Sequence, residues 1–326
     1  MTKPRIFVTQ PIAESALARL RAIADVEVNP DGSKVPDQAT LIAGVKKADI
    51  LFALLHDTVN AELLAANPKL KAVASMTITP DRIDVKEATK RGIIVTNIPA
   101  VVTESTADIC FAILMAAARR VVEGDNAFRK GIYPGSQGNY FAGAMVSGKT
   151  LGLVGAGRIG QAVARRGRGF NMKILYTDPH RMPEALEREL GATQVPFDTL
   201  LAESDFVSLH PQMTPETRHL MGAVQFAKMK KTAFVVNTSR GPVIDEKALV
   251  KALQAKQIAG AALDVYENEP AVEPELVGMK NVVITPHLGS GVLELREGMA
   301  HIVTDNAIAV IEGKRPPNII NPEVLK

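Results

Sequence analysis

The sequence predicts an α/β protein with two doubly wound parallel-sheet domains. Short runs of β-branched residues alternate with helical stretches almost to the end of the chain, which is typical of parallel strands joined by crossover helices. The alternation breaks off near residue 100 and resumes near residue 150, so it forms two separate series. The length of 326 residues also indicates about two domains.

The first series predicts an N-terminal sheet. Its strands are expected at residues 5–9, 49–55, 70–75 and 93–95, and its helices at residues 15–24, 60–66 and 85–91. Leu17, Leu20 and Ile23 fall on one face of the first helix, as expected for a helix that packs on a sheet. Gly92 is placed to end the third helix.

The second series predicts a dinucleotide-binding sheet, preceded by a long helix over residues 103–120 and a loop over residues 131–148. Its strands are expected at residues 151–154, 173–176, 205–209, 233–236, 258–262 and 282–285, the six strands of a doubly wound dinucleotide fold. A last helix, about residues 292–312, is followed by a polar tail and cannot form a domain alone, so we expect it to pack on the N-terminal sheet. The predicted domains are therefore residues 1–100 with 288–326, and residues 101–287.

Composition excludes several classes of partner. With 38 Lys plus Arg against 35 Asp plus Glu, the net charge of +3 is too small for a nucleic-acid footprint. The single cysteine, Cys110, excludes an internal disulfide framework, and no paired His, Cys or Asp spacing indicates a metal site. The longest apolar run is too short for a membrane span of about 20 residues, and no signal-peptide core follows Lys3 and Arg5. We expect a cytoplasmic protein with no nucleic-acid, membrane or metal partner.

Two glycine motifs lie close together in the middle of the chain. Residues 143–150 match the phosphate-binding pattern G-x-x-x-x-G-K-[ST], which requires a strand before the loop and a helix after it. Here a glycine-rich loop precedes the motif and the strand at residues 151–154 follows it, so we interpret the match as coincidental. The alternative, a nucleotide triphosphatase, is tested by ATP hydrolysis, which we expect to be absent.

The second motif, G-x-G-x-x-G, has the context that the first one lacks. It consists of Gly155, Gly157 and Gly160, directly after a predicted strand and at the start of a predicted helix. In this fold the first glycine makes a tight turn, the second lets the backbone approach a pyrophosphate, and the third lets the helix pack on the strand. Asp178 ends the next strand, near the expected spacing of about 20 residues.

Asp178 bears on the choice of cofactor. A carboxylate at this position accepts hydrogen bonds from the ribose hydroxyls and repels a 2′-phosphate, which favours NAD(H). His180 and Arg181 follow closely and offset part of that repulsion, so use of NADP(H) stays open.

Three polar segments follow strands of the second series. Arg240 follows the strand at 233–236, Glu267 and Glu269 follow the strand at 258–262, and His287 follows the strand at 282–285. The carboxyl ends of parallel strands line the ligand crevice, so we expect an Arg, a Glu and a His to converge where a nicotinamide would lie. The Arg offers a fork of donors for a carboxylate, and a Glu beside a His stabilises its protonated form. Such a His can donate a proton to a carbonyl oxygen as hydride arrives at the carbon, a step worth about 10²–10⁴ in rate.

These segments resemble the D-isomer-specific 2-hydroxyacid dehydrogenase family. The matching segments are residues 150–160, 237–245, 261–270 and 285–290, and the similarity extends over about residues 51–322. Residues 103–120, 170–176 and 222–230 resemble its glyoxylate/hydroxypyruvate reductase and 2-ketogluconate reductase branch. The resemblance implies a Rossmann-type NAD domain inserted into a flavodoxin-like substrate domain. It also implies reduction of a small 2-oxoacid to the D-2-hydroxyacid, in a homodimer formed through the nucleotide-binding domain.

The resemblance also implies roles for individual residues. Arg240 would orient the 2-oxoacid, His287 would act as general acid/base, and Glu269 would support His287. Further cofactor contacts are implied at Arg158, Ile159, Asp178, Pro211, Gln212, Thr238, Asp264, Gly289 and Thr106.

Two segments depart from the family pattern. The substrate-carboxylate loop of the family is rich in Gly, but residues 75–81 read Ser-Met-Thr-Ile-Thr-Pro-Asp. Pro80 has no N–H to donate, so we hypothesise that Thr77, Ile78 and Thr79 bind substrate differently, with the two hydroxyls as donors. A harmless loop variant stays the alternative.

The second departure is Pro211, which lies one residue earlier than in the family and should shift a turn on the cofactor side. His56 is expected in a solvent-facing loop, with substrate contact as the alternative, and His180, His219 and His301 are expected at the surface. Two other functions stay open: a dehydrogenase for an unusual anion, and a non-catalytic NAD-sensing protein.

Overall fold

The computed structural model describes residues 3–135 and 138–325. They divide into two compact units, one formed by residues up to Val101 and from Val292 onward, and the other by Val102–Gly291. The boundaries drawn from the sequence, after residues 100 and 287, lie close to these junctions. Each unit is built around one parallel sheet.

The strands are β1 (Arg5–Val8), β2 (Asp25–Val28), β3 (Ile50–Ala53), β4 (Ala72–Ser75), β5 (Ile94–Thr96), β6 (Thr150–Val154), β7 (Lys173–Thr177), β8 (Ala192–Gln194), β9 (Phe206–Leu209), β10 (Phe234–Asn237), β11 (Gly260–Leu263) and β12 (Val282–Ile284). The α-helices are α1 (Glu14–Ile23), α2 (Gln38–Val45), α3 (Ala61–Ala65), α4 (Val85–Lys90), α5 (Thr103–Ala118), α6 (Val121–Arg129), α7 (Arg158–Gly169), α8 (Glu184–Leu190), α9 (Phe197–Glu203), α10 (Ala223–Lys228), α11 (Glu246–Gln254), α12 (Pro274–Val277) and α13 (Leu293–Ile311).

The first unit has the strand order β2-β1-β3-β4-β5, with every neighbouring pair parallel. This is the flavodoxin-like order. The central strands β3 and β4 are completely buried, as expected for a parallel sheet covered on both faces. Helix α13 packs against α1 and β4, so the last helix of the chain covers the sheet of this unit.

The tail after α13 is part of the first unit's sheet edge. Asn321 is completely buried; its side-chain oxygen accepts from the Val95 N–H at 2.8 Å, and its amide group donates to the Ile93 carbonyl at 2.9 Å. Ile319 forms an antiparallel bridge with Thr96. From the sequence we predicted only a polar tail here. A single Asn gives no indication that its side chain will form hydrogen bonds with backbone groups at the edge of the sheet.

The second unit has the strand order β12-β11-β10-β9-β6-β7-β8, again all parallel. The order reverses between β6 and β9, which is the switch point where doubly wound sheets bind ligands. Helix α5 covers one face of the sheet, and α9, α10 and α11 belong to the core on the other. The predicted α/β fold class with two parallel sheets is confirmed, with β2 and β8 as additional edge strands. No helix in the described parts of the chain is long and apolar enough to cross a membrane.

Candidate active site

The turn between β6 and α7 is shaped by glycines. Gly155 has φ +94°, and a Cβ there would lie 2.8 Å from the backbone carbon of His210. A Cβ on Gly160 would lie 2.3 Å from the Gly155 carbonyl oxygen, so α7 can pack this closely only with glycine. Gly157 differs, because no atom lies within 4 Å of its Cβ position. The first and third glycines therefore serve packing, and the second leaves space beside the backbone.

The start of α7 offers polar groups to that space. Gly157 is the N-cap of α7 and provides no side-chain cap, so the first N–H groups of the helix have no side-chain acceptor there. Arg158 and Ile159 form the first turn. An uncapped helix N-terminus with open space beside it suits a phosphate group.

Asp178 is fixed at the end of β7 by two backbone amides. Its Oδ2 accepts from the Ala156 N–H and its Oδ1 from the His180 N–H, both at 2.8 Å. The carboxylate lines a cleft of about 460 Å³, together with the glycine turn and with Pro211 and Gln212 after β9. This cleft lies at the switch point of the sheet, so the residues present fit a dinucleotide.

His210 is half-buried beneath the glycine turn, and no role was predicted for it from the sequence. Its backbone N–H donates to the Val154 carbonyl at 2.7 Å, and its ring Nε2 lies 2.9 Å from the Ser208 hydroxyl. Burial lowers the pKa of His210 to about 3, so the ring is neutral near pH 7. A His directly after a buried strand, opposite a tight glycine turn, is the signal that could have identified this packing residue.

The structure brings Glu269 and His287 into contact. His287 Nδ1 lies 3.2 Å from Glu269 Oε2, and the two side chains are 18% and 12% exposed. The other oxygen of Glu269 accepts from the Tyr266 N–H at 3.0 Å, which fixes the carboxylate. The backbone N–H of His287 donates to the Asp264 carbonyl at 3.0 Å. The arrangement holds one ring nitrogen of His287 against a carboxylate, which fixes the orientation of a ring that can donate or accept a proton.

Glu267, the second acid of the same segment, has different partners. Its Oε1 lies 2.6 Å from His219 Nε2 and accepts from Arg218 at 3.2 Å. The backbone N–H of Glu267 donates to the buried carboxylate of Glu246 on α11 at 2.6 Å. Of the two acids that the sequence offered, only Glu269 is seen to pair with His287.

Arg240 is positioned by the residues around it after β10. Its carbonyl accepts from the Asn237 side-chain amide at 3.0 Å, and its Nη1 donates to the Ser239 carbonyl at 2.8 Å. A Cβ on the next residue, Gly241, would lie 1.8 Å from the backbone carbon and oxygen of Tyr266. Gly241 therefore lets the Arg240 segment pack directly on the residue whose N–H holds Glu269. Neither the role of Gly241 nor that of Tyr266 was predicted from the sequence.

Asp264 lies at the end of β11, and its two carboxylate oxygens differ in their hydrogen bonding. Its Oδ1 accepts from the Thr285 hydroxyl at 2.6 Å and from the Leu288 N–H at 2.7 Å. Its Oδ2 is buried with no hydrogen-bond partner among the described residues, and so is the Thr238 hydroxyl after β10. Burial raises the pKa of Asp264. Two buried polar atoms at neighbouring strand ends suit a polar ligand group such as a carboxamide.

Thr106 and Gly289 complete this group of predicted cofactor residues. The Thr106 hydroxyl, on α5, donates to the Gly289 carbonyl at 3.3 Å. A Cβ on Gly289 would lie 3.3 Å from that hydroxyl oxygen and 3.8 Å from Asp264 Oδ2. The second unit therefore places Thr106, Asp264 and Gly289 together.

The predicted substrate loop lies in the first unit, after β4. The hydroxyls of Thr77 and Ser75 are 2.7 Å apart, and the Ile78 carbonyl accepts from Asn97 at 2.8 Å. The Thr79 hydroxyl donates to Asp81 Oδ2 at 2.8 Å. The hydroxyls of Thr77 and Thr79 thus both form hydrogen bonds within residues 75–81, which fix the conformation of the loop.

The chain is similar to known proteins over almost its whole length. Residues 111–289 match the family model described as D-isomer specific 2-hydroxyacid dehydrogenase, NAD binding domain. The glyoxylate reductase of Korarchaeum cryptofilum is 50% identical and that of Thermococcus litoralis 48%, each over 99% of this chain and 98% of the relative.

A solved structure is also similar. An NADPH-dependent glyoxylate/hydroxypyruvate reductase from Sinorhizobium meliloti, in complex with NADP and malonate, has a TM-score of 0.81 at 30% identity, over 98% of this chain and 97% of that one. These matches cover both units and include the glycine turn and the strand-end segments described above. The chain therefore belongs to the D-isomer-specific 2-hydroxyacid dehydrogenase family of NAD(P)-dependent oxidoreductases.

Proposed function

We propose that this protein reduces a small 2-oxoacid of the glyoxylate, hydroxypyruvate or 2-ketogluconate type to the D-2-hydroxyacid. Arg240 is the substrate-binding cation, His287 the general acid/base and Glu269 the residue that orients His287. The contact between His287 Nδ1 and Glu269 Oε2 at 3.2 Å carries the proposal, because a carboxylate that orients the imidazole is what a histidine general acid/base requires. The high identity to glyoxylate reductases supports this substrate class.

The residues of the second unit perform distinct steps. The first N–H groups of α7 and the Asp178 carboxylate would hold the dinucleotide, which would supply hydride to the substrate carbon. The Arg240 guanidinium binds the substrate carboxylate through paired hydrogen bonds. His287 donates its proton to the carbonyl oxygen, and Glu269 stabilises the protonated ring before transfer. In the reverse direction His287 accepts the hydroxyl proton.

NAD(H) is the proposed preferred cofactor. The backbone N–H groups of Ala156 and His180 donate to the Asp178 carboxylate at 2.8 Å and hold it in the cleft. In that position the carboxylate repels a 2′-phosphate. The Sinorhizobium relative binds NADP, so the preference is a property to be measured for this chain itself. The ratio of kcat/KM for NADH and NADPH at fixed glyoxylate measures it.

The protein is proposed to form a homodimer through the second unit. Helix α6 buries none of its residues, and Phe128 on it is 66% exposed. Tyr133 is 76% exposed, and Val121, Val122 and Met145 are also exposed large apolar side chains. Several exposed large apolar side chains between residues 121 and 145 are typical of a protein interface. A second copy of the chain is the proposed partner.

Absorbance of the reduced nicotinamide tests the proposed reaction. Purified protein is assayed with NADH or NADPH and, in turn, glyoxylate, hydroxypyruvate, pyruvate, 2-ketogluconate and phenylpyruvate. We expect oxidation with at least one of these that falls at least about 10²-fold in His287→Ala. Nucleotide binding without oxidation of any substrate would instead favour an unusual anionic substrate or a sensing role.

A further inference from the structure

The loop after β7 carries an arginine next to the adenosine side of the cleft. Asp178 and residues 180–183 line the cleft, so it is bordered by both Asp178 and Arg181. An arginine in this loop is a natural partner for a 2′-phosphate, because a guanidinium binds phosphate oxygens with paired hydrogen bonds. Whether Arg181 is available for that contact therefore matters for cofactor choice.

Arg181 is held by Glu187 on α8. Its Nε donates to Glu187 Oε1 at 3.0 Å, and its Nη2 donates to Glu187 Oε2 at 2.9 Å. The pair thus uses both carboxylate oxygens and two of the guanidinium nitrogens. Hydrogen bonding within the pair lowers the pKa of Glu187 and raises that of Arg181, so both groups stay charged over the pH range of an assay.

Glu187 is anchored to the sheet from the other side. The hydroxyl of Tyr176, a completely buried residue of β7, donates to Glu187 Oε1 at 2.6 Å. The same hydroxyl accepts from the Met182 N–H at 2.9 Å, so it also fixes the loop that carries Arg181. The Glu187 side chain is only 9% exposed, whereas that of Arg181 is 68% exposed. The carboxylate is therefore the fixed partner, and the guanidinium is drawn to it.

We propose that Glu187 is a specificity-determining residue that keeps Arg181 from the 2′-phosphate of NADP(H). Recruiting Arg181 to a phosphate would leave the largely buried Glu187 carboxylate without its cation, which is a costly state. Together with the charge of Asp178, this makes NADH the favoured cofactor. The inference rests on the proposed function, since it assumes that the cleft binds the adenosine half of a nicotinamide dinucleotide.

Direct nucleotide binding tests the proposal without turnover. The chain contains no Trp, so the emission of NADH or NADPH can be followed in titrations with little protein background. We expect Glu187→Gln to tighten NADPH binding by about tenfold and to change the Kd of NADH less than about twofold. The double variant Glu187→Gln with Arg181→Gln should lose that gain.

A matched control separates this effect from a change in net charge. Glu184→Gln removes the same charge from the same helix, but Glu184 pairs with the exposed Arg188. A ratio of NADPH to NADH affinity that rises no more in Glu187→Gln than in Glu184→Gln would overturn the proposal.

The single variant Arg181→Gln keeps the test valid if Glu187→Gln does not fold, because Arg181 is exposed. We expect its Kd for NADPH to stay within about twofold of the wild-type value. A clear loss of NADPH affinity would mean that Arg181 already binds the phosphate, and the proposal would be wrong. Failure of every variant and of the wild type to bind either nucleotide would overturn the proposed function as well, whereas binding with an unchanged ratio overturns only this inference.

Discussion

Replacing Gly241 with Ala should disable the reaction while leaving nucleotide binding intact. The added Cβ would lie 1.8 Å from the backbone carbon and oxygen of Tyr266, whereas ordinary carbon contacts start at about 3.5 Å. The Arg240 and Tyr266 segments would have to separate by roughly 1.7 Å. A misplacement of about 1 Å can cost about 10²-fold in rate, so we expect kcat/KM for glyoxylate to fall at least that far.

The expected loss of stability is smaller than the loss of activity. Overpacking of this kind costs about 1–3 kcal/mol, which urea unfolding at constant slope would measure. The Kd of NADH should change little, because the glycine turn after β6 is not touched. Gly298→Ala on α13 is the matched control, since no atom lies within 4 Å of its Cβ position. A Gly241→Ala variant whose kcat/KM stays within about threefold of the wild-type value would refute the reasoning.

Three further predictions concern other parts of the molecule. Because the pKa of His210 is lowered in the folded protein, the free energy of unfolding should decrease as the pH falls below about 6.5, the pKa of the residue in the unfolded chain. We expect a decrease of about 2 kcal/mol between pH 6.5 and 5 in urea unfolding. The decrease should be smaller in His210→Gln, and an equal decrease would contradict this. Phe128→Ser combined with Tyr133→Ser should convert a dimer to a monomer in light scattering, whereas Leu293→Ser, also at an exposed site, should not. Thr79→Gly should change the relative kcat/KM across 2-oxoacids, and an unchanged ranking would mean that the loop is a harmless variant.

The fold class was predictable because its main strands are apolar and its glycine turn has a fixed spacing. Strands such as β3 and β11 are buried at every position, so they appear in the sequence as continuous runs without polar side chains. The elements that were not predicted lack this signal. Strand β2 reads Asp-Val-Glu-Val and is partly exposed, and β8 has only three residues, of which one is buried. Both are edge strands, which the sheet recruits through backbone pairing and not through apolar side chains.

The candidate site was predictable as a set of strand ends but not as a set of contacts. The position of Glu267 and Glu269 after β11 gave two acids, and only the family resemblance indicated Glu269 as the partner of His287. Their partners depend on the course of the loop, which Glu246 fixes through the Glu267 N–H and Tyr266 through its N–H to Glu269. The role of Gly241 is likewise a close approach between two segments that are distant in sequence.

The central claim is that the pair of Glu269 and His287 performs the proton transfer, and two neighbouring acids test it directly. Glu269→Gln and Glu267→Gln remove the same charge from the same loop, but only the first residue is seen to pair with His287. Steady-state kcat for glyoxylate reduction with saturating NADH should fall about 10²-fold or more in Glu269→Gln and stay within about threefold of wild type in Glu267→Gln. Equal losses in the two variants, or a larger loss in Glu267→Gln, would contradict the account.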